Sequence, residues 1–243
     1  MAIYNDTGIN SEQSLESRYN NKAQERELYL ERARDCSELT IPTLIPQDGA
    51  TMAEEFETTY QGIGARGVNN LASKLLLSLL PPNAPFFRLA IDNFAVQEIE
   101  EDENLRTQID SGLVKIEKAV MDDIEMSNDR VAVFEALKHL IVGGNALLFV
   151  SSEGLRVFPL SQYVLERDPM GNVLEIITKE SIAYSALPED IRQAILSQQG
   201  EKKESDVCDL YTCVKRKPDH FMVHQEVKGI KLEESFGKYK LDQ

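Results

Sequence analysis

Four residues toward the C-terminal end of the sequence are of the types that bind zinc. They form a C-x4-C-x6-H-x3-H pattern made of Cys208, Cys213, His220 and His224, and thiolates and imidazoles are common zinc ligands. The spacing is irregular, and residues five apart on a β-strand point to opposite faces, so Cys208 and Cys213 would not converge on one ion. A zinc-dependent interaction module is kept as an alternative, while the sequence favours no bound metal.

The stretch Gly62–Gly67 reads GIGARG and matches the dinucleotide-binding pattern G-x-G-x-x-G. Such a phosphate-binding loop follows a hydrophobic strand, and an acidic residue about 20 positions later holds the ribose. Here the preceding residues are AEEFETTYQ, and Phe87 stands near the place of the acid. The glycines are better explained as small residues that let another helix approach closely. A nucleotide-binding enzyme using Gly62–Gly67 is the other alternative.

The remaining titratable residues show no catalytic pattern. His139 follows Glu135 by one helical turn, and because no serine or cysteine nucleophile motif accompanies it, we expect a surface or interface residue. The phosphate-binding signature G-x-x-x-x-G-K-[ST] does not occur in the sequence. The sequence therefore predicts a protein that is not an enzyme and needs no cofactor.

Composition limits the partners of the chain. Its 243 residues include 41 acidic and 26 basic side chains, for a net charge of −15. A simple basic patch that grips nucleic acid is disfavoured, because lysine and arginine supply most of that affinity. The apolar runs are far shorter than the roughly 20 residues that span a bilayer, so no membrane partner is expected. Three scattered cysteines fit a reducing cytoplasm.

One apolar helix dominates the pattern between residues 58 and 80. Its apolar residues recur at three- and four-residue intervals, which places them on one face, and Pro81-Pro82 ends it because proline lacks an amide donor. We expect this stripe to face the core. Its members are Tyr60, Ile63, Gly64, Val68, Leu71, Ala72, Leu75, Leu76, Leu79 and Leu80.

The other periodic segments predict further helices and one strand before residue 145. A charged helix over 14–38 precedes a proline-containing connector, and Asn128 or Asp129 is suited to cap a helix that Gly143-Gly144 ends. The full set is a helix over 14–38, a connector over 40–50, a strand over 86–91, a helix over 96–126 that is kinked near 102–104, and a helix over 131–142.

After residue 145 the period changes to that of β-strands. Short apolar runs separated by turn residues indicate an antiparallel meander with one short helix and a hairpin around Lys217-Pro218-Asp219. The runs are 146–150, 155–158, 163–166, 173–178, a helix over 187–196, then 207–214 and 221–227, with no closing element after them. We predict an α+β fold in three regions: 1–57 with a charged helix and connector, 58–144 as a helical core, and 145–243 as the β region.

Three long segments closely resemble the head-to-tail connector, or portal, proteins of podoviruses, which are short-tailed phages with double-stranded DNA. They read YQGIGARGVNNLASKLLLSLLPPNAPFFRL, VFEALKHLIVGGNALLFV and ERDPMGNVLEIITKESIAYSALPEDIRQAI. The resemblance implies a homo-oligomeric ring of about twelve copies, closed by rotational symmetry, at the head-tail vertex of the virion. It also implies that the chain is the wing region, truncated before the stem, clip and crown.

The resemblance implies a structural role. The ring would nucleate procapsid assembly with scaffold and capsid proteins and dock the terminase motor. It would pass double-stranded DNA during packaging and ejection without sequence-specific binding, and join tail adaptor proteins, after synthesis in the host cytoplasm. A ring of acidic subunits needs basic residues at its contacts, because like charges repel. The interface candidates are Arg66, Lys74, Arg18 and Arg26, with Arg32 and Arg34 as further members of the first helix.

Overall fold

The computed structural model describes residues 13–46, 60–82, 84–90, 103–151, 154–189, 191–193, 195 and 206–240. The helices are α1 (Leu15–Glu25), α2 (Glu27–Glu38), α3 (Ile63–Leu79), α4 (Glu103–Met126) and α5 (Asp129–Gly143). The strands are β1 (Leu147–Ser151), β2 (Gly154–Phe158), β3 (Tyr163–Arg167), β4 (Val173–Ala183), β5 (Val207–Arg216), β6 (His220–Val227) and β7 (Ile230–Lys240). Helices with antiparallel sheets confirm the predicted α+β class.

The chain forms two compact units. The sheet unit combines the described parts of 1–31 and 160–243, and the helical unit takes those of 32–159. These units cut across the three regions expected from sequence, because the N-terminal helix belongs with strands that follow it by more than a hundred positions. The assignment of the three regions stays a prediction.

The sheet unit is built on five antiparallel strands in the order β3-β4-β5-β6-β7. The β5-β6 hairpin turns at the predicted residues, with the Lys217 amide donating to the His220 carbonyl at 2.8 Å. The expectation that nothing follows the hairpin is wrong, because β7 pairs with β6 along its length. A left-handed turn at Lys228 and Gly229, with φ of 49° and 81°, makes that last connection.

Both faces of this sheet carry buried apolar side chains. On one face α1 places Leu15 and Tyr19 against Val164, Ile177 and Tyr211. On the other face, described residues between Tyr184 and Ile195, called the Tyr184–Ile195 segment below, pack on one end of the strands. The side chains of this second cluster are Tyr184, Leu187, Ile191, Ile195, Cys208 and Val227. Alternation along each strand assigns successive residues to the two faces.

The helical unit contains α3, α4, α5 and the separate β1-β2 hairpin. Few of its large apolar side chains are fully covered: the buried positions of α3 are Val68 and Ala72. The α5 helix ends as predicted, with Gly144 in the left-handed conformation at φ 71°. Asn128 occupies the predicted cap position without a side-chain hydrogen bond, and Asp129 instead accepts from the Leu155 amide at 2.8 Å.

Two further expectations for the helices and strands before residue 145 are wrong. The N-terminal helix is interrupted at Arg26, where the Arg26 guanidinium donates to the Leu160 carbonyl at 2.7 Å. Residues 86–90 form no strand; the Leu89 amide donates to the buried Glu117 carboxylate at 2.7 Å rather than to a neighbouring strand. Residue 91 and residues 96–102 of the predicted helix lie outside the described residues, and α4 runs without interruption from Glu103 to Met126.

Candidate interaction surfaces

The α1 helix is held to the sheet by two buried carboxylates. The Leu15 amide donates to Glu226 at 2.9 Å, so a negative charge meets the positive end of the helix. One turn later, the Arg18 guanidinium forms an ion pair with Glu175. Both glutamates are almost fully buried, and a buried carboxylate is costly unless it is paired. Residues of α1 therefore neutralise charges that the sheet could not hold alone.

The thiol of Cys213 lies in the same layer. It donates to Glu175 Oε1 at 3.6 Å, and burial together with that carboxylate raises the pKa of Cys213 to about 12. Because the thiolate is the reactive form, this cysteine is chemically inert near neutral pH. The layer under α1 is a packing site rather than a reactive one.

Cys208 and Cys213 belong to the two opposite faces of the sheet, as the spacing predicts. Cys208 packs with Tyr184 and Val227, whereas Cys213 packs with Leu15 and Tyr19. The Nδ1 atom of His220 lies 2.7 Å from the carboxylate oxygen Oδ1 of Asp219, its neighbour in the chain. Among the residues that the structure describes, no three His, Cys, Asp or Glu side chains gather around a point that could hold a metal ion.

The glycine motif lies at the start of α3. Gly62 is the cap residue, and a Cβ added at Gly64 would stand 2.8 Å from the Leu39 carbonyl oxygen. The end of α2 therefore approaches α3 at a distance that only glycine permits. This geometry agrees with the packing explanation at Gly64, while a Cβ at Gly67 would meet open space.

His139 is buried, and its expected place at a surface or interface is wrong. It is 3% exposed within α5, with its Nε2 3.9 Å from Glu135. Burial lowers the pKa of His139, and the Glu135 carboxylate only partly opposes that effect. Helical spacing alone did not reveal which face of α5 turns inward.

The four basic interface candidates fall into two groups. Arg18 and Arg26 bond within the sheet unit, to Glu175 and to the Leu160 carbonyl. Arg66 and Lys74 are exposed on α3. Their role in contacts between copies stays a prediction, and the second pair has the accessible charges that such contacts require.

The helical unit presents a broad set of exposed apolar side chains. The predicted core stripe of α3 is only partly covered: Val68 and Ala72 are buried, whereas Ile63, Leu71 and Leu79 are 68%, 47% and 53% exposed. The expectation that this face is buried within the chain therefore holds for its centre and is wrong for Tyr60, Ile63, Leu71 and Leu79. Other exposed members are Phe86, Leu89, Val114, Ile116, Val120, Met126, Val131, Leu140, Leu148, Phe149 and Val150. Isolated exposed hydrophobics are ordinary, but this many in one unit make the helical unit a candidate interaction surface.

An open apolar region of the sheet unit lies on the face opposite α1. A groove of about 330 Å³ lies at the end that the Tyr184–Ile195 segment does not cover, and it is lined by Asn172, Val173, Leu174, Ile176, Val214, Arg216 and Phe221. A hydrogen bond of 3.0 Å between Gln225 and Thr212 lies between the covered and the open parts. No sequence signal revealed this groove, because its residues come from three strands and a turn.

No helix in the described parts of the chain combines the length and apolar character needed to cross a membrane.

Comparison with known proteins matches nearly the whole chain. Residues 12–236 match a family described as bacteriophage head to tail connecting protein. The chain is 39% identical to the portal protein of Escherichia phage T7 over 96% of its length, and 36% identical to that of Enterobacteria phage T3 over all of it. It is 33% identical to the portal protein of Enterobacteria phage SP6 over 78% of its length. The chain spans 45%, 46% and 37% of those three relatives.

Proposed function

The chain belongs to the bacteriophage head to tail connecting protein family, and we propose that it acts as a structural subunit of a portal at the head-tail vertex of the virion. The observation that carries this proposal is a match of 96% to 100% of the chain to two portal proteins. Such a length of collinear similarity is far more specific than a short motif.

We infer that copies of the protein assemble into a closed ring of about twelve subunits. The exposed apolar side chains of the helical unit support assembly, because apolar surface of this extent is stabilised when a partner covers it. In this proposal the partners are further copies of the protein, together with parts of the portal that correspond to the unmatched length of the relatives.

The proposed work of the ring is mechanical rather than catalytic. It nucleates the procapsid with scaffold and capsid proteins, docks the terminase motor, conducts double-stranded DNA in both directions, and joins the tail adaptors. A conduit must not hold phosphates tightly, since each neutralised phosphate adds affinity. The net charge of −15 supports weak contact with passing DNA.

Within such a ring, the exposed charges of Arg66 and Lys74 offset the repulsion between acidic subunits. Arg18 and Arg26 contribute to the ring indirectly. Their bonds to Glu175 and to the Leu160 carbonyl hold α1 in place on the sheet. The helical and β regions correspond to the wing of a portal subunit, and synthesis takes place in the host cytoplasm.

The mass of the assembled species tests the proposal. Light scattering would be measured on this chain and on a chimera that adds the unmatched part of the T7 portal protein. We expect a monomer for the chain at micromolar concentration and a ring for the chimera, visible by negative-stain electron microscopy. A folded chimera that remains monomeric would overturn the proposal.

Charge reversal at Arg66 refines the same test. Arg66→Glu in the chimera is expected to weaken the ring, whereas Arg156→Glu is a matched reversal outside the candidate set. A ring equally stable to salt in both variants would remove Arg66 from the interface.

A further inference from the structure

We propose that α4 of one copy docks in the open groove on the sheet unit of a second copy, with Ile116 and Val120 in the groove and Asp123 against Arg216. This contact rests on the proposed function, because it names one of the surfaces through which the subunits would join. It pairs two different surfaces, so it is a heterologous contact, the kind that generates rings.

The groove offers apolar contact and one charge. Leu174, Ile176, Val214 and Phe221 are half-buried, so their outer surfaces remain available to a ligand. Arg216 is exposed at the groove and is its one charged lining residue. A complementary ligand therefore presents aliphatic side chains beside a carboxylate.

The rim of the groove is ordered by its own hydrogen bonds. Asp168 accepts from the Asn172 amide and from the Asn172 side chain, each at 2.8 Å. The Arg167 guanidinium donates to the Gly171 carbonyl at 2.9 Å. The Asn172 side chain and, to a smaller extent, Arg216 lower the pKa of the Asp168 carboxyl, so Arg216 lies near this carboxylate. A guanidinium has five N–H donors, so Arg216 can still donate to a second carboxylate.

The α4 helix presents the matching side chains. Ile116 and Val120 are 53% and 39% exposed and lie one turn apart, and Asp123 is exposed at the next position on that face. Lys118 lies on the opposite side of the helix. One face of α4 therefore combines two aliphatic side chains and a carboxylate, with Lys118 of the same helix on the other side.

The Tyr184–Ile195 segment gives a precedent for helical residues packing on this face of the sheet. There, Ile191 and Ile195, also four positions apart, pack on Cys208 and Val227. The α4 pair Ile116 and Val120 has the same spacing. In the proposed contact, α4 of a neighbouring copy covers the open end of the sheet. The helix face and the groove are different surfaces, so the contact is not self-complementary.

Charge exchange tests the pairing. The self-association of this chain would be followed by sedimentation equilibrium up to about 1 mM, so that a dissociation constant in that range is seen. Arg216→Glu and Asp123→Arg are each expected to weaken association about tenfold, and the double variant to recover most of the loss. Matched controls are Lys118→Glu and Asp122→Arg, which make the same charge changes on other sides of α4 and should leave association within about twofold.

Each of the following association results would overturn the contact: a chain that stays monomeric at every concentration, single variants that behave like the controls, or a double variant that recovers nothing. Circular dichroism of each variant shows whether it is folded, and exposed charges are chosen so that folding is retained. With an added thiol oxidant such as oxidised glutathione, Val120→Cys mixed with Val214→Cys, both in a Cys36→Ser background, should form a disulfide-linked dimer. A yield equal to that of Lys118→Cys with Val214→Cys would also refute the contact.

The two proposals fail separately. A chimera that forms a ring unaffected by Arg216→Glu and Asp123→Arg would leave the portal assignment intact and remove the α4 contact. A chimera that forms no ring would remove the portal assignment itself.

Discussion

The sheet unit closes its core with residues of its own, whereas the helical unit leaves much of its apolar surface exposed. Ile177 and Val227 are 0% exposed in the sheet, while Leu77 and Val150 are 56% and 76% exposed in the helical unit. In the sheet unit, strands bury one set of side chains under α1 and another under the Tyr184–Ile195 segment. The difference supports the proposal that one unit is stabilised within the chain and the other gains stability from assembly.

The buried ion pair under α1 is expected to give the largest single effect. Arg18→Ala removes the partner of Glu175 and leaves an unpaired buried charge, which costs about 3–5 kcal/mol of the free energy of unfolding. Urea denaturation followed by circular dichroism measures the change. Arg18→Ala combined with Glu175→Gln should recover part of the loss, and an Arg18→Ala protein as stable as wild type would mean that α1 does not close the sheet.

Truncation of apolar side chains compares the two units directly. Ile177→Ala in the sheet core should lower the free energy of unfolding by about 2–5 kcal/mol, because it removes buried methyl groups and leaves a cavity. Leu77→Ala, at an exposed position of α3, should change it by no more than about 0.5 kcal/mol. Similar losses at both sites in the monomer, by urea denaturation, would contradict the distinction between the units.

The close contact at Gly64 tests packing inside the helical unit. Gly64→Ala should destabilise it by about 1–3 kcal/mol, because the new methyl group meets the Leu39 carbonyl. Gly67→Ala is the matched control, since its methyl group meets open space and should stabilise the helix by about 0.5–1 kcal/mol. Thermal unfolding would distinguish the two, and a stabilising Gly64→Ala would refute the close approach of α2.

Each unit holds one buried histidine, and both should make stability depend on pH. Burial lowers the pKa of His139 and of His224 below the ordinary value of 6.5. Between the lowered value and 6.5 the unfolded chain binds more protons, so stability falls as the pH drops below 6.5 and is fully present above it. His139→Asn and His224→Asn should each flatten this dependence, measured by urea denaturation across that range, and an unchanged slope would contradict the burial of that side chain.

Local signals predicted those elements whose structure depends on local chemistry. Gly144 and the turn at Lys217–Asp219 were predicted because glycine tolerates the left-handed conformation at a helix end and proline fixes its own φ. The β7 strand was missed because its charged residues obscure alternation, and its extended state depends on pairing with β6. The helical period of α3 was read correctly, but the period cannot say whether a partner within the same chain covers the face.

The candidate surfaces were harder to predict than the elements. Arg66 and Lys74 could be named from charge, yet the groove beside Arg216 depends on strand register across β4, β5 and β6. The buried Glu175 and Glu226 also gave no signal, since an acidic residue in an alternating strand usually points to solvent. Both glutamates are buried because α1 packs over them, and α1 lies more than 150 positions earlier in the sequence.

The outer strand β7 has a consequence for how large an assembly can become. An unpaired strand edge invites identical edges to add on without limit, and natural sheets discourage this with lysines and bulges. Here Lys231, Lys238 and Lys240 lie along β7, and the pairing with β6 is irregular between Val223 and Gln225. If the β7 edges of two copies came together, their lysine side chains would lie close to each other and repel. Growth by fibre-like strand addition is disfavoured, so copies can join through side-chain surfaces and still stop at a finite number.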